Sequence, residues 1–114
     1  MCGAKMNDNP NIPISEQYRL VAKRWVDADS AANLLEETKS AYLAKLMARQ
    51  GDMPVSRAEM NVKASEEWTD YVTKMVKARE QAALLKAQLE FIRMRFSEWQ
   101  SENATRRAEM NLSR

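Results

Sequence analysis

Apolar residues recur at alternating intervals of three and four along the second half of the chain. From residue 64 onward the series is apolar at every position: Ala64, Trp68, Tyr71, Met75, Ala78, Ala82, Leu85, Leu89, Ile92, Phe96 and Trp99. This spacing places side chains along one face of an α-helix, at the a and d positions of a coiled-coil heptad. The pattern predicts a long helix that packs this face, here called the seam, against another helix.

The first half of the chain carries a matching series. Its apolar members are Tyr18, Val21, Trp25, Ala28, Ala32, Leu35, Tyr42 and Leu46, and only Lys39 interrupts them. The neighbouring Thr38 is a candidate for a shift of register. Both halves therefore predict helices with one apolar face each.

A turn separates the two halves. Gly51 suits the position after a helix end, and Pro54 bars the helix from continuing. Ser56 and Glu59 then have the spacing of a capping box at the start of the second helix. We predict an all-α fold, an antiparallel long helical hairpin resembling a coiled coil. Its predicted organisation is a flexible arm (1–13) and a helical hairpin (14–114), with helix 1 at about 15–50, the turn at 51–55 and helix 2 at about 56–112.

Helix 2 is predicted to extend beyond the end of helix 1. Folding at the turn sets Ser15 opposite about residue 91, so that Phe96 and Trp99 lie beyond the cover of helix 1. A second apolar series, here called the outer stripe, lies on the face opposite the seam and consists of Leu84, Ala87, Phe91 and Met94. A helix that is apolar on both sides is usually buried among several helices.

This surplus of apolar surface predicts self-association. We expect a homodimer that forms a four-helix bundle around residues 82–99, and contact with a protein partner through the exposed end of helix 2. The alternative is a monomer in which Ile12 and Ile14 cover the same surface. The predicted oligomer or partner interface consists of Leu84, Ala87, Phe91, Met94, Phe96 and Trp99.

Composition argues against an enzyme. The chain has no histidine, which is the commonest general base and metal ligand, and its single cysteine, Cys2, excludes an intrachain disulfide. No convergent set of catalytic groups can be assembled, so we expect no catalytic residue, no cofactor and no metal site. Only two glycines occur among 114 residues, which agrees with a helical fold that has few turns.

Basic residues are concentrated only between residues 74 and 95. They are Lys74, Lys77, Arg79, Lys86, Arg93 and Arg95, against Glu80 and Glu90. Arg79, Lys86 and Arg93 fall at e positions, where charges ordinarily flank a coiled-coil core, and we favour this interpretation. The alternative is a nucleic-acid-binding protein that contacts phosphates through Lys86, Arg93 and Arg95. The net charge of +2 does not itself favour nucleic acid.

No apolar run approaches the roughly 20 residues that span a bilayer, and the N-terminus lacks the layout of a signal peptide. We therefore predict a cytoplasmic protein with no membrane partner. Residues 88–110, QLEFIRMRFSEWQSENATRRAEM, resemble segments of small, mostly uncharacterised proteins encoded by bacteriophages and prophages. The resemblance implies an accessory protein in the host cytoplasm that works by contact, near phage DNA replication or recombination or against a host defence protein.

The pentapeptide Arg-Ala-Glu-Met-Asn occurs twice, at residues 57–61 and 107–111. The surrounding residues differ too much to indicate a duplicated domain. We interpret the two copies as one amphipathic helical turn used twice, first to begin helix 2 and then in its uncovered end. The second copy is a predicted place of partner contact.

Overall fold

A computed structural model of the protein describes residues 12–113 and contains four helices in that range. They are α1 (Ile14–Glu37), α2 (Lys39–Ala48), α3 (Val55–Lys63) and α4 (Glu66–Leu112). The described residues contain no strand, and α1 and α2 form one arm of a hairpin whose antiparallel arm is α3 and α4. The predicted all-α helical hairpin is confirmed. Most of the predicted N-terminal arm, residues 1–11, lies outside the described residues.

The buried residues follow the two predicted series. On the second arm Trp68, Ala82, Leu85, Leu89 and Ile92 are buried, and on the first arm Val21, Ala32 and Leu46 are buried. Most remaining members are half-buried, whereas Lys39, Ala64, Phe96 and Trp99 are exposed. The seam thus faces the interior from Trp68 to Ile92.

The connection between the arms depends on a glycine and a proline. Gly51 has a φ of +85°, a left-handed conformation that side chains disfavour. The carbonyl of Pro54 accepts the N–H groups of Arg57 and Ala58 and so begins α3. The predicted capping box is wrong, because Ser56 already lies inside α3 and the helix start has no side-chain cap. The Glu59 carboxylate instead lies 2.8 Å from the ammonium group of Lys63.

The first arm, predicted as one helix, is interrupted at Thr38. The Thr38 hydroxyl donates to the Leu34 carbonyl at 2.8 Å, and the Tyr71 hydroxyl donates to the Leu35 carbonyl at 2.5 Å. The Leu34 carbonyl also accepts the backbone N–H of Thr38, at 3.0 Å. Hydroxyl groups that bond to the carbonyls of a helix in this way bend it. The interruption falls beside Lys39, where the apolar series also fails.

The second arm is interrupted at Ala64 and Ser65, within what was predicted to be a continuous helix. The Ser65 hydroxyl oxygen accepts the backbone N–H of Trp68 at 3.3 Å, and its proton is donated to the Val62 carbonyl at 2.6 Å. Ser65 therefore caps α4. The first turn of α4 carries Glu66 and Glu67, and negative charge is favourable at this end of a helix.

The described residues form two compact units, 26–83 and 12–25 with 84–113. In unit 26–83 the core cluster is Leu46, Val62 and Trp68, flanked by Tyr42, Leu43, Met47, Tyr71 and Val72. The rings of Tyr42 and Tyr71 stack with their centroids 4.6 Å apart. The contribution of α3 to burial, through Ala58 and Val62, was not predicted, because the series was begun at Ala64.

Arg79 joins the two arms within unit 26–83. Its guanidinium donates two hydrogen bonds to Glu36, at 2.9 and 3.0 Å, and one of 2.7 Å each to Asp29 and Asn33. These bonds to Glu36 and Asp29 raise the pKa of Arg79. The bonds from Arg79 hold the pKa of Glu36 below its ordinary value of 4.5. Arg79 is thus engaged in an ion-pair network beside the seam, as an e-position charge is expected to be.

We expect Arg79→Met to lower the melting temperature at neutral pH, and the difference from wild type to shrink in acid. Since the pKa of Glu36 is lower in the folded chain, its contribution is fully present above pH 4.5 and is lost as the pH falls through the folded value. Thermal unfolding followed by circular dichroism at neutral and acidic pH would measure this. Lys77→Met, a change of the same size at an exposed position of α4, is the control, and an equal loss in both variants would contradict the assignment.

A candidate interaction surface on the last helix

In unit 12–25 with 84–113, the start of α1 packs on the seam of α4. The two helices border an open, largely apolar cavity of about 410 Å³. Its walls are formed by Ile14, Ser15, Tyr18, Ile92, Arg93 and Phe96. This cavity marks the level at which the cover provided by α1 ends, because α1 begins at Ile14 while α4 continues to Leu112.

Phe96 and Trp99 lie at and beyond this level. Their side chains are 39% and 57% exposed, and their rings stack on each other with centroids 5.9 Å apart. Ile14 is one of the two residues expected to cover this surface in a monomer, and it borders the same cavity as Phe96. Both aromatic rings nevertheless remain accessible within the described structure.

The outer stripe is a second exposed apolar surface on the same helix. Leu84, Phe91 and Met94 are 61%, 51% and 58% exposed, and Ala87 is exposed between them. On the opposite face Ile92 is only 1% exposed. This part of α4 therefore has two apolar faces, of which α1 covers one.

The three basic residues named for nucleic-acid contact are all exposed on α4. Lys86 and Arg93 border a groove of about 220 Å³ whose other walls are Tyr18, Trp25, Leu89 and Glu90. The guanidinium carbon of Arg95 lies 6.0 Å from the centre of the Phe91 ring, a distance at which a cation is attracted to an aromatic face. The structure thus puts these cations beside aromatic rings but on more than one side of the helix.

Residues 97–112, here called the C-terminal extension, form the last turns of α4. All of them are exposed except Asn103, which is half-buried, and Met110 and Leu112 are exposed by 63% and 87%. A shallow groove along the extension is lined by Ser101, Glu102, Thr105, Arg106 and Glu109. The second copy of the repeated pentapeptide lies here, on a helix that no other described element covers.

No three His, Cys, Asp or Glu side chains in residues 12–113 are grouped so that they could hold a metal ion. No helix in the same range is long and apolar enough to cross a membrane. Comparison of the chain with known protein families, characterised proteins and solved structures gives no match. The resemblance of residues 88–110 to phage-encoded proteins stays a prediction.

The two faces of α4 are expected to respond differently to truncation. Ile92→Ala should destabilise the fold by about 2–5 kcal/mol, because it opens a cavity in a buried seam. Trp99→Ala should cost less than about 1 kcal/mol, because its ring is more than half exposed. Urea unfolding of both variants measures this, and a large loss from Trp99→Ala would show that the ring belongs to the core.

Proposed function

We propose that this protein is a non-enzymatic, oligomeric helical interaction or adaptor protein that acts by binding a protein partner. The observation that carries the proposal is the outer stripe, whose large apolar side chains are exposed directly opposite a buried seam. Exposed apolar patches of this kind usually mark surfaces that bind other proteins. The exposed rings of Phe96 and Trp99 add a second apolar surface, on the seam face of α4 beyond the cover of α1.

Self-association through residues 82–99 would bury the outer stripe. Because the stripe lies opposite the seam, the simplest pairing sets α4 against α4 of a second copy, with the start of each α1 on the outside. Four helices then pack together in a dimer, in agreement with the bundle expected from the sequence. The C-terminal extension remains free in this arrangement and is the proposed place of contact with a further partner.

The biological setting we propose follows from the resemblance of residues 88–110. A small helical protein encoded by a phage or prophage would act as an accessory factor on a protein of the host or of the phage, in the host cytoplasm. Mass-spectrometric identification of proteins captured from the native host would test this setting.

The interface itself is tested by Phe91→Glu, which places a charge in the middle of the outer stripe. We expect the wild-type chain to sediment as an oligomer at about 50 micromolar, and the variant to associate about tenfold more weakly or worse. Helix content should be unchanged, since Phe91 is exposed in the single chain. Thr73→Glu, on the same face of α4 but outside the stripe, is the matched control. A wild-type monomer at this concentration would refute self-association.

The alternative function is binding of nucleic acid, as an accessory to phage DNA replication or recombination. The groove that combines Lys86 and Arg93 with Tyr18 and Trp25 favours it, since phosphate contacts and base stacking use these residue types. Fluorescence anisotropy with labelled single-stranded DNA or RNA at low and moderate salt tests it. Steeply salt-dependent binding that is lost when Lys86, Arg93 and Arg95 are changed to Gln would establish this function. We expect no such binding.

A further inference from the structure

The heptad pattern of the seam continues through the C-terminal extension, where no α1 residue faces it. Counting on from the buried part of α4, Phe96, Asn103 and Met110 occupy a positions, and Trp99 and Arg106 occupy d positions. Phe96, Trp99 and Met110 are 39%, 57% and 63% exposed. The extension is thus a helix with a coiled-coil pattern that no other described helix covers. Its side chains at the a, d, e and g positions indicate which kind of helix would pair with it.

Asn103 is the first indication. A single asparagine at an a position costs stability, but it favours two-stranded, parallel and in-register coiled coils, because its amide can bond to the same residue of the other strand. In the single chain Asn103 makes no hydrogen bond with another described side chain, and it lies between the apolar Trp99 and Met110 on the seam face. This placement fits pairing with an identical helix.

The charges beside the seam are the second indication. Glu102 is at a g position and Arg107 at the following e position, and both are exposed. In a parallel pair a g residue faces the e residue five positions later on the other strand, so two Glu102 to Arg107 ion pairs would form. In an antiparallel pair g faces g, and Glu102 would meet Glu102 or Glu109 of the second copy. Within residues 96–112 the charge pattern is therefore self-complementary only when the two helices are parallel.

Arg106 is the residue that opposes pairing, since a cation at d would face its own copy. It shares a surface groove with Glu102 and Glu109 of the same helix. Its long stem can pack along the seam while the guanidinium reaches solvent beside these carboxylates. Arg106 therefore weakens the pairing with a second copy but does not change its parallel orientation.

From this pattern we infer that residues 96–112 pair in parallel and in register with the same residues of a second copy, as a short two-stranded coiled coil. The inference rests on the proposed function, because it names a second copy as the partner of the C-terminal extension. It uses the seam face of α4, whereas the outer stripe occupies the opposite face. The two contacts can therefore be removed one at a time.

A charge exchange tests the pairing in the Phe91→Glu chain, in which the outer stripe is disabled. Glu102→Lys should weaken the remaining self-association about tenfold, because two attractive pairs become repulsive. Adding Arg107→Glu to the same chain should restore it, since the reversed pairs attract again. Sedimentation equilibrium measures each step. Lack of rescue by the double exchange would overturn the inference.

Crosslinking tests the orientation in full-length protein, with Cys2 changed to Ser. Met110→Cys should form a homodimeric disulfide under mild oxidation, because equivalent a residues of a parallel pair lie within reach of one another. Ala108→Cys, on the opposite face of the same helix, should not. Oligomers without the Met110→Cys disulfide would overturn the parallel pairing and leave the proposed function standing. A monomeric wild-type chain would overturn both. Disulfides formed to the same extent at both positions would overturn the inferred pairing, because random collision would account for them.

Discussion

Each long helix of this hairpin can bury only one face against the other arm, and the rest of the structure depends on that limit. On α4 the face that is buried carries Leu85, Leu89 and Ile92, and the apolar residues on the opposite face remain exposed. Since α1 begins at Ile14, opposite the cavity bordered by Phe96, the seam itself also continues beyond its cover. Surplus apolar surface on two faces of one helix is what makes an interaction protein the best-supported function.

The buried seam and the exposure of the outer stripe could be predicted because both depend only on which side of a helix a residue occupies. The pattern indicated a shift of register at Thr38, beside Lys39, but it did not predict that the helices are interrupted there and at Ser65. At Thr38 the decisive contact is the hydroxyl of Tyr71 on the Leu35 carbonyl, between residues far apart in sequence. At Ser65 a local signal was present, a serine followed by two glutamates. The apolar series passes through this point from Ala64 to Trp68, and its continuity concealed the signal.

The wrong assignment of a capping box at the start of helix 2 has a related cause. Ser56 and Glu59 have the spacing of a capping box, but Pro54 already ends the turn with a backbone conformation that leads into α3. The helix therefore begins before Ser56 can act as its cap. Starting the series at Ala64 then hid the separate apolar face of α3, through which Val62 reaches the core. The absent capping box and the overlooked face of α3 share one cause. The backbone conformation that begins α3 at Pro54 cannot be deduced from the periodicity of side chains.

Exposed apolar surface is the reason for proposing that α4 binds a partner, but charge would decide which partner it binds in a fixed arrangement. Arg79 shows this within the chain, since its bonds to Glu36 and Asp29 tie the two arms together in one register. Glu102 and Arg107 would do the same between chains. The outer stripe and the C-terminal extension would each pair with the same region of another copy, on opposite faces of α4 and about different symmetry axes. Chains joined through both contacts could therefore form assemblies larger than a dimer. A weak pairing around Arg106 would keep such further assembly dependent on the concentration of the protein.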